Sequence, residues 1–168
     1  MLLLGILLSL PVVQTKIGTY VTNSLNEDFG TDISVQKVSI SVFGTVNLKE
    51  VLIKDHHKDT LIYINRLQTK IQNFKKIIKG DLLFGAIKLD KILFNLKTYT
   101  NEKDTNLDYF VSAFDSDKPS TGKFLMTATK IQLNEGRFMM SDDNQKTSKV
   151  LDFSRIHMNI SDFKIYGS

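Results

Sequence analysis

The sequence predicts a mainly β chain: an N-terminal membrane-anchor and amphipathic helix, then a long meandering antiparallel sheet carrying two short helices. Three observations carry that expectation. The chain opens on an uncharged, leucine-rich run. From Thr31 onward apolar residues recur at every second position, the period of a strand. Eleven Phe and five Tyr among 168 residues, with many Ile, Val and Thr, favour pleated backbone over helix.

Residues 1–13 read MLLLGILLSLPVV. Leu2, Leu3, Leu4, Ile6, Leu7, Leu8 and Leu10 are apolar around the whole helix, as in a membrane anchor. A spanning helix needs about 20 such residues, so the run reads as the end of a longer anchor that begins before Met1, in preference to a short buried helix. After Pro11 the spacing changes: Val13, Ile17, Tyr20, Val21 and Leu25 form one stripe of an amphipathic helix, and Gly30 offers it a left-handed stop.

The strands follow. Val38, Ile40 and Val42 alternate with Ser39 and Ser41; Phe43-Gly44-Thr45 makes a turn and Val46 opens the next strand. Asp55-His56-His57-Lys58-Asp59 is a polar tip before a long strand over 61–72. Residues 74–80 suggest a short helix closed by Gly80. Strands resume at 82–89 and 91–100, where Phe94 and Leu96 share one face and Asn95 and Lys97 turn to solvent. Asn106 is placed to cap a second short helix holding Leu107, Phe110, Val111 and Phe114. A loop with Pro119 leads to strands at 124–133, 137–141, 150–153 and 156–166. Sequential strands and short turns suggest an antiparallel meander. Because the chain stops after a strand, it reads as the N-terminal piece of a longer protein.

Composition excludes several functions. There is no Cys, hence no disulfide, thiolate metal site or cysteine nucleophile. Net charge is +4, but the basic residues are scattered and do not form the block that tracks a nucleic-acid backbone. No nucleophile, phosphate-binding or dinucleotide motif occurs, so neither an enzyme nor a cofactor is expected. His56 and His57 lack a third nitrogen ligand, adjacent side chains on a strand would diverge, and the segment reads as a turn, so no metal is expected there. His157 reads as part of a solvated face, and Asp142-Asp143 falls short of a calcium loop.

The order of several local strings resembles the N-terminal region of TamB-like proteins of the AsmA superfamily, Bacteroidota type. They are Leu10-Pro11-Val12-Val13-Gln14, Leu25-Asn26-Glu27-Asp28-Phe29-Gly30-Thr31, Ile40-Ser41-Val42-Phe43-Gly44, Val51-Leu52-Ile53-Lys54-Asp55 and Asp59-Thr60-Leu61-Ile62-Tyr63-Ile64. Lys79-Gly80-Asp81-Leu82, Ile87-Lys88-Leu89-Asp90, Tyr99, Asn106-Leu107 and Phe124-Leu125 continue the order. The resemblance implies a single-pass inner-membrane protein with its bulk in the periplasm, and a sheet curled into an open apolar groove. It also implies phospholipid in that groove on its way to the outer membrane, and a BamA-like outer-membrane barrel bound through a region beyond this chain. The corresponding organisation is an anchor and helix at 1–30, a β unit at 31–114, a loop at 115–123 and the start of the next groove unit at 124–168.

A groove for acyl chains needs an unbroken apolar face and few fixed polar contacts. Leu67, Ile71, Leu89, Ile92, Phe94, Leu96, Ile131, Leu133, Phe138, Met140, Met158 and Ile160 are its candidate lining, the methionines suiting a variable ligand. A closed sandwich core would use the same residues. Lys75, Lys76 and Lys79 are candidates for contact with anionic headgroups, although a solvated helix face is the commoner explanation for such lysines. A different function, assembly of outer-membrane barrels by strand addition at a sheet edge, stays open beside lipid transport.

Overall fold

The computed structural model describes residues 29–41, 44–72, 81–113, 125–145 and 150–166, with positions 19, 22, 23, 26 and 27. Six strands form one sheet in chain order: β1 Asp32–Ile40, β2 Thr45–Lys54, β3 Thr60–Lys70, β4 Asp81–Thr98, β5 Leu125–Asp142 and β6 Leu151–Tyr166. The sheet is not closed into a barrel. A short helix, α1 Asn106–Ser112, lies between β4 and β5. The expected helix over 74–80 and the anchor at 1–18 lie outside the described residues.

Strands β1 to β4 are the expected antiparallel hairpins. At the β2–β3 turn Asp55 Oδ1 accepts from the backbone N–H of His57 and of Asp59, each at 3.0 Å, and Lys58 takes the left-handed conformation at φ 68°. This is why an Asp opens the tip: its short carboxylate replaces the backbone acceptors that a tight turn lacks.

The antiparallel meander is corrected at one step. β4 and β5 pair in parallel, from Asp81 beside Leu125 to Thr98 beside Asp142. A parallel neighbour requires the chain to return to the strand's starting end, which takes a dozen or more residues and usually a helix. Residues 99–113, which include α1, are the described part of that crossover. The strands of 31–114 and 124–168 therefore belong to one continuous mixed sheet.

A second correction concerns strand breaks. The expected gaps near positions 90, 134 and 154 are not breaks; β4, β5 and β6 run through them. Each interior strand carries two adjacent polar residues there: Lys49-Glu50, Asn65-Arg66, Asp90-Lys91 and Asn134-Glu135. The register sets these doublets side by side, Lys49 opposite Arg66, Arg66 opposite Asp90 and Asp90 beside Asn134. Along the same line Glu50, Lys91, Glu135 and Arg155 adopt left-handed backbone, φ 51–56°. Such a residue reverses the alternation of side chains, so residues three apart share a face. The crowding at Gly136 agrees: a Cβ there would collide with Cδ2 of Leu133. On the polar side Asn65, Arg66, Asp90, Lys91, Asn134, Glu135 and His157 line one shallow trough, and β3 reaches it without a left-handed residue.

Candidate functional site

The phase reversal keeps one face of the sheet apolar along its whole length. On one side of the polar line Ile87, Ile131 and Ile160 lie in register, and Val38, Leu48, Leu67, Leu89, Leu133 and Met158 form the next row. On the other side Val51, Ile64 and Ile92 are followed by Ile53, Ile62, Phe94, Phe138 and Phe153, then by Leu96, Met140 and Leu151. The Phe94 and Phe138 rings stack with centroids 5.6 Å apart, and Phe153 continues the line at 6.4 Å.

Burial of this face is uneven. Val38, Val51, Ile64 and Ile87 are buried, while Met140, Met158, Leu151 and Phe153 are 40%, 43%, 49% and 54% exposed. The face thus passes from buried and half-buried positions at β1–β4 to half-buried and exposed ones at β5–β6. Contiguous exposed apolar surface of this kind is costly in water and marks an interaction surface. Thr69, in register with Val46, is the one buried side-chain atom without a hydrogen-bond partner among the described residues, through its Oγ1.

Compared with protein-family models, curated proteins and solved structures, the chain has no match. Leu67, Leu89, Ile92, Phe94, Leu96, Ile131, Leu133, Phe138, Met140, Met158 and Ile160 all fall in the apolar rows, and Ile71 bridges to Phe84 at the end of β3. Leu151 and Phe153 belong to the same face but escaped the sequence, because their register is visible only once the reversal at Arg155 is known. The anchor residues up to Leu10 and Lys75, Lys76 and Lys79 lie outside the described residues. Among the described residues no helix is long and apolar enough to cross a membrane.

The end of the sheet beyond β3 holds a polar hub. Asp55, Tyr99 and Asn106 are buried. Asp55 Oδ2 accepts from the Tyr99 hydroxyl at 2.7 Å and from Asn106 Nδ2 at 3.0 Å, and the same hydroxyl reaches Asp59 Oδ2 at 2.9 Å. Burial pushes the Asp55 carboxyl up, but the bonds from Asn106, Tyr99 and two backbone N–H groups outweigh it and hold the group below the usual carboxylate range. Burial and the two carboxylates push the Tyr99 hydroxyl far up, so it stays a donor.

Asn106 is not the helix cap it was expected to be. Thr105 caps α1 in a reciprocal capping box with Asp108. Asn106 instead spans the edge of β4 where β3 has ended: its Oδ1 accepts from Lys97 N and its Nδ2 donates to Asn95 O. Nor does Lys97 simply face solvent. Its Nζ pairs with Asp143 at 3.1 Å and lies 4.4 Å above the Tyr99 ring.

His56 and His57 are also placed differently from expectation. They sit in the expected turn, but their side chains converge instead of diverging. Nε2 of His56 lies 3.0 Å from Glu102 Oε2 and Nε2 of His57 lies 2.7 Å from Oε1. The bond to the His57 ring holds the Glu102 carboxyl below its usual range. Nothing near positions 56 and 57 in sequence signals Glu102; the crossover brings it there.

Proposed function

We propose that this chain is the inner-membrane end of a non-enzymatic periplasmic β-groove that guides phospholipid toward the outer membrane. One observation carries the proposal: an open sheet whose apolar residues stay in register on one face across all six strands, and become solvent-accessible at β5–β6. An acyl chain laid along those rows removes both itself and the exposed Phe153, Leu151, Met140 and Met158 from water, while its headgroup remains at the rim. Met140 and Met158 adapt to chains of different shape. The order of local strings shared with TamB-like proteins supports the same reading and supplies its setting: an anchor in the first thirty residues, lysines 75, 76 and 79 near headgroups, and a BamA-like partner engaged by a region outside this chain.

The test is a matched pair on adjacent positions of β6. Met158 belongs to the apolar face and Asn159 to the polar one, and both are exposed. Met158→Asp and Asn159→Asp each add one negative charge without burying it. An unpaired carboxylate against hydrocarbon costs several kcal/mol or becomes protonated. Purified Met158→Asp protein is therefore expected to stay folded and lose most copurifying phospholipid, while Asn159→Asp retains it. Equal phospholipid content in both variants would overturn the groove and leave strand addition at the β6 edge as the better account.

A further inference from the structure

Among the described residues one group brings three metal-capable side chains together: His56, His57 and Glu102, whose ligand atoms all lie within 4.8 Å of one another. We propose that these residues form a binding site for a divalent first-row transition ion, Zn²⁺ fitting best, that ties the β2–β3 turn to the start of the crossover. The inference stands apart from lipid binding and depends on neither the anchor nor the apolar face.

The donor set is the first argument. Two imidazole nitrogens and one carboxylate suit Zn²⁺, which accepts three protein ligands and leaves a fourth position to water. Hard ions such as Mg²⁺ and Ca²⁺ prefer sets made of oxygen alone. The ion pairs of Glu102 are with the two histidines, so no Lys or Arg competes for its charge among the described residues.

The second argument is that each ligand is held from behind. The backbone N–H of His57 is fixed by Asp55 Oδ1, and its ring lies 3.8 Å from that of Tyr99. The His56 ring lies 4.1 Å from Tyr109 on α1. Glu102 donates its N–H to Tyr99 O, and its carbonyl accepts from Asn144 Nδ2 at 2.9 Å. Ligands oriented in advance lose little freedom on binding, which is what separates a built site from a chance cluster. Side-chain exposures of 29%, 45% and 20% leave a path for the ion to enter.

The chain contains three histidines, and His157 lies away from this cluster in the polar trough, so it serves as an internal control. Chelator-treated full chain is titrated with Zn²⁺ while the histidine ring protons are followed by NMR. His56 and His57 should shift together and saturate at one equivalent, with His157 unmoved and Mg²⁺ without effect. In parallel, Zn²⁺ affinity is measured for His57→Phe, which keeps a ring against Tyr99, and for Glu102→Gln, which keeps a hydrogen-bond acceptor. Each should bind more than about tenfold more weakly, since even residues behind a ligand contribute that much. No saturable shift of His56 and His57, or unchanged affinity in both variants, would overturn the site. The ring-proton titration uses the unaltered chain, so it decides even where a variant fails to fold.

Discussion

Three asparagines perform the same task in different places. Asn26 pairs its carboxamide with both N and O of Ile33 on the outer edge of β1, at 2.8 Å each. Asn106 does so for Lys97 and Asn95 on β4, and Asn144 bridges Asn101 N and Tyr99 O in the crossover. A carboxamide has the donor and acceptor of a peptide group, so it satisfies backbone where no strand reaches. Thr69 is the opposite case, a buried hydroxyl with no partner. Thr69→Val keeps the branched shape and removes the unsatisfied atom, and should stabilise by about 1 kcal/mol. In thermal unfolding that is a rise of roughly 2–4 °C for a chain of this size; a lower midpoint would contradict the assignment. Asp55 makes a prediction about acid. Its folded pKa is depressed, so its contribution is present above the ordinary carboxylate value of about 3.9 and lost as pH falls through the lower folded value. Asp55→Asn should be less stable at neutral pH and lose less further stability between about pH 4 and 2 than the unaltered chain. Equal acid slopes would show that Asp55 is not the group responsible.

The strands illustrate how two physical situations leave one sequence trace. A polar pair such as Asp90-Lys91 interrupts an apolar alternation whether the strand ends there or reverses its phase. The sequence read it as an end; the aligned left-handed residues make it a reversal. What could have separated the two is the recurrence of such doublets in neighbouring strands, because ends need not align across a sheet and a continuous apolar face requires that reversals do. The parallel β4–β5 pair was hidden for a related reason. Alternation gives the faces of a strand but not the direction of its neighbour, and only the length of 99–124 betrayed a crossover. The hairpins of β1–β3 were legible because their turns are short and chemically marked by Gly44 and Asp55. The reversal has its own test. Valine is among the best strand formers but is strongly disfavoured at positive φ, whereas asparagine tolerates it. Glu135→Val should destabilise by about 1–2 kcal/mol and Glu135→Asn should be near neutral, measured by denaturant unfolding. A valine variant more stable than the asparagine variant would mean that no reversal occurs at this position.

At the scale of the whole molecule the sheet is asymmetric. Its polar hub, helix and buried rows gather around β1–β4, while β5–β6 extend as a mixed-sheet wing with open apolar surface. A closed sandwich would have buried Phe153 and Met158 along with Ile64 and Val51. The composition of the apolar face was legible in the sequence, since nearly every candidate residue falls in its rows; its openness was not, because a core and a groove use the same side chains. The His56, His57 and Glu102 cluster was not legible either, being assembled from positions 45 residues apart. The most direct measurement is photocrosslinking from the two faces of β5. A photoreactive phenylalanine analogue is placed at Phe138, in the apolar rows, and at Gln132, on the opposite face, in the full chain in native membranes. The groove predicts phospholipid adducts from position 138 and few from 132. Equal labelling at both positions, or protein adducts alone from position 138, would contradict it.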